Sequence, residues 1–142
     1  MERRRRVLRA LVVLAACAST GGVFAQDGRT STVQAAARDW VGLTDRGEVG
    51  ATWDAAGKQF KNAITRERWS ESLTAVRKPF GPMVQRSTLS TTFPESIAGA
   101  PDGEYSIVLF RTSFANRVDS RETVTLQRES DGAWRVVGYV IQ

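Results

Sequence analysis

The stretch Tyr105-Ser-Ile-Val-Leu-Phe-Arg-Thr-Ser-Phe114 decides the fold, because its first half is almost continuously apolar. Such a run is typical of an inner strand that is covered on both sides. Residues 122–128 then alternate strictly, with Val124 and Leu126 on the inward side and polar residues on the other. A period of two residues replaces the helical period here and predicts a β-sheet.

Four antiparallel strands are predicted in the C-terminal half of the chain. Met83–Thr92 is rich in Thr, Ser and Val, which indicates a strand with one solvated face. A turn is expected at Asn116–Ser120. The pair Asp131-Gly132 predicts a hairpin before the closing strand Ala133–Ile141, because such a pair tolerates the positive φ angles of tight turns.

Three helices are predicted before the sheet. The first runs from Val33 to Thr44 with apolar residues at helical spacing, and Thr30–Thr32 supplies the capping residues at its start. Gly47 is expected to end it, since glycine accepts the left-handed conformation of a C-terminal cap. The second helix is predicted over Ala51–Phe60, where Gly57 weakens it.

The third helix is predicted between a capping Thr65 and Pro79, which cannot continue it. Its buried stripe is expected to be Trp69, Leu73 and Val76. Helices followed by strands indicate an α+β domain. We therefore predict three N-terminal helices packed on a curved four-stranded antiparallel sheet.

The first 25 residues have the features of a secretory signal peptide. Arg3–Arg6 precede the apolar run Ala10–Ala18, and Val23-Phe24-Ala25 offers a cleavage site before Gln26. The apolar run is shorter than the roughly 20 residues of a transmembrane helix. We expect a cleaved signal peptide (1–25), a polar lead-in (26–32) and one α+β domain (33–142) in the periplasm or the medium.

Cys17 indicates an alternative way in which the leader is processed. Leu14-Ala15-Ala16-Cys17 looks like the lipobox of bacterial lipoproteins, in which the cysteine becomes the lipidated first residue. Cleavage after Ala25 gives a freely diffusing protein, whereas lipidation of Cys17 gives one anchored to the envelope membrane. A membrane association is expected only in the second case.

The net charge of +5 belongs mostly to the leader, because its removal leaves 15 basic and 14 acidic residues. A mature charge of +1 gives little support to nucleic-acid binding, which needs a basic face. The densest basic cluster of the mature chain, Arg77, Lys78 and Arg86, is interpreted as a solvated face.

Several reaction classes are excluded by residue types that the sequence lacks. The chain has no histidine, which removes Ser-His-Asp and Cys-His pairs and nearly all zinc or copper sites. It also lacks a glycine-rich phosphate loop, and its acidic residues do not have calcium-loop spacing. We therefore assign no catalytic residue, no metal ligand and no cofactor.

One type of catalysis stays open, in which a carboxyl group works beside a tyrosine in an apolar cavity. Asp39, Asp54 and Glu104 neighbour aromatic positions, and Tyr105 and Tyr139 are the two tyrosines. Each of these acids is expected on the solvated side of its element. An enzyme of this type needs a buried acid within hydrogen-bond reach of one tyrosine.

The tryptophans indicate a candidate binding site. Trp40, Trp53 and Trp69 fall on the apolar stripes of three different helices. Their rings either line a ligand cavity between the helices and the sheet or fill that space themselves. Arg111 interrupts an apolar strand, so it either points into a pocket and holds an anion or lies on a solvated face.

The chain resembles domain of unknown function family 4019, a family of short exported bacterial proteins. The resemblance covers roughly Val33 to Ile141. It rests on residues 53–60, Trp69, Arg77-Lys78-Pro79-Phe80-Gly81, Arg86, residues 101–105, Phe110-Arg111-Thr112-Ser113-Phe114, residues 122–126 and Asp131-Gly132-Ala133-Trp134-Arg135-Val136-Val137-Gly138-Tyr139. It implies no activity and supplies no functional residues.

The element order is also similar to the cone-shaped fold of nuclear transport factor 2 and ketosteroid isomerase. That fold hosts enzymes, binders and assembly modules, so the resemblance implies a shape and no activity. We expect a non-enzymatic module that binds a small apolar molecule or a peptide, or that forms a homodimer through its open sheet face. The alternatives are a lipid-anchored structural accessory protein and a small carboxylate enzyme.

Overall fold

The computed structural model describes the backbone of residues 21–142 and the side chains of residues 28–142. It confirms the α+β class, with helices packed on a four-stranded antiparallel sheet. The elements are α1 (Gly21–Asp45), α2 (Val49–Asp54), α3 (Lys58–Ala63), α4 (Arg66–Arg77), a 3₁₀ turn (Lys78–Phe80), β1 (Met83–Thr92), β2 (Tyr105–Phe114), β3 (Arg117–Arg128) and β4 (Trp134–Ile141). Cys17 and most of the predicted signal peptide lie outside the described residues.

The sheet has the order β1-β2-β3-β4, and each neighbouring pair is antiparallel. The strand β3 begins at Arg117, earlier than predicted, because Phe114 already pairs with Arg117 across a turn at Ala115 and Asn116. Register breaks occur in all three pairings. Such breaks bend strands, which accounts for the curvature of this open sheet.

Each central strand has one covered and one solvated face. In β2, Val108, Phe110 and Thr112 are buried, whereas Ile107 and Leu109 are half-buried and Arg111 is exposed. The expectation that β2 is covered on both sides is therefore wrong. An apolar run in the sequence does not require two covered faces, because Ile107 and Leu109 keep partial contact with water.

The core lies between α1 and the covered face of the sheet. Helix α1 contributes one apolar stripe to it, and the strands contribute their inward-facing residues. The buried members are Val33, Ala37, Trp40, Val41, Val108, Phe110, Val124, Leu126 and Val136. Every α1 residue in this core follows Gln26, so cleavage after Ala25 would leave the core complete.

Helix α1 is already helical at Gly21, the first described residue, so the predicted polar lead-in (26–32) is helical. The capping cluster Thr30–Thr32 therefore does not start the helix as predicted. The Thr32 hydroxyl instead donates to the Gly28 carbonyl, 2.8 Å away. A hydroxyl that bonds back one turn lets threonine sit inside a helix.

The second predicted helix is two short helices that are separated at Gly57. The Gly57 N–H donates to the Val136 carbonyl of β4 at 2.8 Å, and a Cβ at this position would lie 2.9 Å from Val137 Cγ1. The chain breaks here because its backbone must touch the sheet. Gly47 and Gly132 have φ angles of 74° and 84°, as expected of a helix cap and a hairpin glycine.

Candidate functional site

Two of the three helical tryptophans, Trp40 and Trp69, pack into the space that all three were proposed to line. Trp40 is 3% exposed, and its ring lies 6.2 Å from Trp69 and 5.2 Å from Tyr139, centroid to centroid. Trp69 also meets Phe60 edge to face at 4.7 Å. The space between these helices and the sheet is therefore filled by aromatic rings.

Hydrogen bonds fix the orientation of these indoles. Trp40 Nε1 donates to the Thr52 carbonyl at 2.9 Å, and Trp69 Nε1 donates to the Thr52 hydroxyl at 2.8 Å. Trp53 is turned the other way, because its Nε1 donates to the Ile64 carbonyl and Lys61 lies over its ring. The structure thus brings Trp40 and Trp69 together at Thr52 and directs Trp53 to the α2–α3 surface.

Four charged side chains meet beneath the C-terminal ends of α1 and α4, and we call them the buried charge cluster. They are Asp45, Arg77, Arg86 and Glu122. The Glu122 side chain is fully buried, and the other three are 10% to 14% exposed. Two acids and two arginines give the cluster a formal charge of zero.

Arg86 joins the two acids of the cluster. Its Nη1 lies 2.6 Å from Asp45 Oδ2, and its Nε lies 2.8 Å from Glu122 Oε1. Arg77 donates to Asp45 Oδ1 at 3.1 Å. Glu122 also accepts hydrogen bonds from the hydroxyls of Thr112 and Tyr139 at 2.5 Å each. The buried carboxylates are thus surrounded by donors, as buried charges require.

The pKa values in the cluster follow from burial and charge. Burial opposes ionisation of Asp45, but the hydrogen bonds and charges of Arg86 and Arg77 hold the pKa of Asp45 below its usual value. Burial likewise opposes the charge on Arg86, and its two acidic partners nevertheless raise the pKa of Arg86. Burial and the charge of Glu122 raise the pKa of the Tyr139 hydroxyl well above its usual value. Tyr139 therefore remains a proton donor.

The pairing of Glu122 with Tyr139 meets the condition set by the carboxylate-enzyme alternative, but through an acid that was not proposed. Asp39, Asp54 and Glu104 are all exposed. Asp54 pairs with Arg66 at 3.0 Å and Glu104 with Arg128 at 3.5 Å, so both form ordinary surface ion pairs. The sequence does contain a signal for Glu122, namely its place in the alternation of β3. It falls on the same inward side as Val124 and Leu126.

The interpretation of Arg77 and Arg86 as a solvated face is wrong. Both side chains are nearly buried, and their guanidinium groups lie over the rings of Phe114 and Phe110, respectively. Their partners come from α1 and β3, far from them in sequence. A local run of basic residues gives no sign of such distant carboxylates.

Arg111 lies on the solvated face of the sheet, away from the tryptophans. Its side chain is 57% exposed and pairs with Asp119 at 3.1 Å. Together with Gln85, Ser87, Ser113 and Val118 it lines a shallow polar depression. The structure therefore separates Arg111 from the tryptophans with which it was proposed to bind a ligand.

An open cleft of 490 Å³ runs between α1 and the start of β4, and we call it the tryptophan cleft. Trp40 and Trp134 are the two aromatic residues that line it. The remaining lining residues are Ala36, Arg38, Asp39, Gly42, Leu43, Arg46, Ala55, Ala133, Arg135 and Val136. The small residues of this lining, Ala36, Gly42, Ala55 and Ala133, help to leave the depression unfilled.

Two further observations concern the part of the chain that the structure describes. Within residues 21–142, no three acidic, histidine or cysteine side chains converge in a way that would hold a metal ion. None of the helices in this range has the length and apolar character needed to cross a membrane.

Comparisons with known proteins agree with the fold. The family model described as "Protein of unknown function (DUF4019)" matches residues 36–139. A protein from Catenulispora acidiphila, whose structure was solved at 2.5 Å, is similar with a TM-score of 0.51 and 15% identity, over 84% of this chain and 94% of that chain. At that identity the likeness shows the fold alone. No curated protein matches this chain.

Proposed function

The chain belongs to the DUF4019 family of proteins of unknown function, and we propose that it is an exported, non-enzymatic binding module. The ligand class is an amphipathic organic anion, an apolar ring or chain that ends in an acidic group, and the site is the tryptophan cleft. The observation that carries this proposal is the cleft itself, an open volume of 490 Å³ with an apolar floor and arginines around it.

The floor of the cleft suits the apolar part of such a ligand. Ala36, Ala55 and Ala133 present small apolar side chains, and Trp134 offers a half-buried ring. Trp134 is held from behind by Phe93, with 6.0 Å between the ring centroids. A preformed wall of this kind binds apolar surface without first having to become ordered.

The charges around the cleft suit the acidic part of the ligand. Arg38, Arg46 and Arg135 line the cleft together with one acid, Asp39, and Arg135 is already paired with Glu129 and Asp131 at 2.7 and 2.8 Å. The Arg46 side chain is 60% exposed, and its pair with Glu48 is a weak surface pair. Arg46 is therefore able to turn from Glu48 to an incoming carboxylate or sulfonate at little cost.

The buried charge cluster supports a non-enzymatic function. Glu122 is inaccessible to a substrate, and its carboxylate already accepts from Arg86, Thr112 and Tyr139. The Tyr139 hydroxyl has a raised pKa, so it does not supply a base near neutral pH. We therefore regard Glu122 and Tyr139 as structural residues.

Export remains part of the proposal. The leader predicts a mature protein that begins at Gln26 in the periplasm or the medium, or a lipoprotein that begins at Cys17. The intact mass of the protein purified from its own envelope distinguishes the two. A mass beginning at Gln26 supports secretion, a mass beginning at a lipidated Cys17 supports the anchored form, and a full-length mass contradicts both.

The binding proposal is tested with 1-naphthylacetate, which carries an apolar ring and a carboxylate. We expect shifts of the Trp134 and Trp40 indole N–H signals in a ¹H–¹⁵N NMR titration, with half-saturation at about 1 mM for a ligand of this size. The uncharged 1-naphthylacetamide is the matched ligand, and it should bind more weakly because it lacks the charge that the arginines recognise.

A blocking variant locates the binding. Ala36→Phe places a ring in the cleft and should abolish the shifts, whereas Ala75→Phe on the exposed surface of α4 should leave them unchanged. Equal binding by the acid and the amide would contradict the choice of an anion. Shifts that persist in Ala36→Phe would contradict the choice of site.

A further inference from the structure

The edge of β4 has free hydrogen-bonding groups. Gln142 and Arg121 exchange both of their backbone hydrogen bonds at 2.9 Å, which fixes the alternation of the β3–β4 ladder. Val140 opposite Thr123 is then the next hydrogen-bonded pair. Tyr139 and Ile141 consequently direct their N–H and C=O groups away from β3. Within the described residues, no further strand lies beyond this edge.

The two ends of the β4 edge differ. Near Val136 the edge is closed, because the Gly57 N–H bonds to the Val136 carbonyl. The break in register lies between the closed and open parts, so the residues from Gly138 onward pair regularly with β3. The other edge strand, β1, has one register break at its start and a second between Thr88 and Ser90. Bulges of that kind discourage strand addition, and regular pairing permits it.

An apolar groove runs alongside the open part of the edge, and we call it the β4 groove. It has a volume of 220 Å³ and is lined by Trp69, Ser72, Leu73, Val76, Tyr139, Val140 and Ile141. Val76 was predicted to be buried but is 47% exposed, and Val140 is 53% exposed. The apolar stripe of α4 thus extends beyond the core that it covers.

We infer that the β4 groove binds an extended apolar peptide segment by strand addition. The peptide backbone would pair with the N–H and C=O groups of Tyr139 and Ile141, whose spacing of two residues matches one side of a β-strand. The side chains that point toward α4 would enter the groove against Val76. This site shares no lining residue with the tryptophan cleft and does not depend on the proposed function.

The short length of the open edge favours a peptide over a second copy of the chain. A stable protein interface buries about 1,200–2,000 Å² in total. Within the described residues, only Tyr139 and Ile141 direct their N–H and C=O groups outward at this edge, so edge-to-edge pairing of two copies would use far fewer than the roughly 20–30 residues a side of such an interface. A flexible peptide, in contrast, can pair its backbone with the short edge and place its side chains in the groove.

The test uses a blocked synthetic peptide, acetyl-Lys-Thr-Val-Thr-Ile-Thr-Lys-amide, with the full chain and hydrogen-exchange NMR. Binding should slow the exchange of the Tyr139 and Ile141 amide protons. The same peptide N-methylated at the two positions that face β4 is the matched control and should give no protection. Val76→Lys should weaken binding about tenfold, because the buried contact is replaced by a charge.

Val118→Lys is the control variant, since Val118 is 76% exposed and lies outside the groove. It should bind the peptide as the natural protein does, and circular dichroism confirms that both variants are folded. Absence of protection, or equal protection by the N-methylated peptide, would overturn the inference. Protection of these amides without peptide, together with a dimer in sedimentation that Val76→Lys abolishes, would assign the edge to a second copy and also overturn it.

Discussion

The buried charge cluster and the tryptophan cleft both contain arginines, acids and aromatic rings, but they differ in access to water. In the cluster, Glu122 is fully buried and each charge has a partner. In the cleft, Arg46 and Asp39 face an open volume. Charges that are already paired inside a fold have little left to offer a ligand. Charged residues therefore indicate a binding site in this protein only where they can exchange their present partners for a ligand.

The two environments also differ in how much stability is lost when one charged partner is removed. A buried pair gains little net stability when it is intact, but removal of one partner leaves an isolated buried charge. An exposed pair is screened by water, so its loss matters little. Removal of one charged side chain should therefore destabilise the protein strongly in the cluster and only slightly in the cleft.

The largest expected effect comes from Glu122→Ala. The change leaves Arg86 with Asp45 alone and leaves the Tyr139 and Thr112 hydroxyls without their acceptor. We expect a loss of about 3–5 kcal/mol in the free energy of unfolding, measured with urea. Glu104→Ala removes an exposed pair and should cost less than about 1 kcal/mol. Equal costs would remove the distinction between the two environments.

A smaller effect is expected when Trp40 becomes Phe. The ring remains in the core, but the Thr52 carbonyl loses its indole donor and a small gap remains. The free energy of unfolding should fall by about 1–3 kcal/mol. Trp134→Phe alters a half-buried ring at the cleft and should cost no more than about 1 kcal/mol. If Trp134→Phe proved the more damaging, the cleft would belong to the core.

The cluster should also show in the pH dependence of stability. The pKa of Asp45 is lower in the folded protein than its usual value of 3.8, so its ionised form stabilises the fold. This contribution is complete above pH 3.8 and disappears as the pH falls through the folded pKa. The difference in unfolding free energy between the natural protein and Asp45→Asn should therefore shrink in acid. A difference that stays constant down to pH 2 would contradict the depressed pKa.

The smallest effect is expected at the rim of the cleft. Asp39 is exposed, so Asp39→Asn should change the free energy of unfolding by less than about 0.5 kcal/mol. The same change removes the one acid of the cleft and should strengthen binding of 1-naphthylacetate. A large loss of stability in this variant would show that the rim of the cleft helps to stabilise the fold.

The sequence predicted the elements that periodicity governs. The bounds of β1 and β2 are the ones predicted from a run rich in Thr, Ser and Val and from a nearly continuous apolar run. Thr65 caps α4 as predicted, through a bond from the Arg68 N–H at 3.3 Å. Helix α1 started earlier than predicted, because Thr32 bonds to the preceding turn and does not cap. Periodicity in the sequence thus identifies a helix or strand, whereas the side-chain hydrogen bonds near its ends decide where it starts.

The site was harder to predict because its partners are far apart along the chain. Arg86 and Glu122 are separated by 36 residues, and only strand pairing brings them together. The exposure of Val76 depends on how α4 sits beside β4, which its helical spacing cannot reveal. Likewise, the sequence could not decide whether the tryptophans line a cavity or fill it.

The most direct test of the account is the binding of 1-naphthylacetate by the near-isosteric variant Glu122→Gln, followed by NMR under conditions where the variant is folded. The cluster and the cleft share no residues, so the dissociation constant should match that of the natural protein within about twofold even though stability falls. A folded variant that binds at least about tenfold more weakly would contradict the account, because it would show that the buried charges serve the ligand as well as the fold.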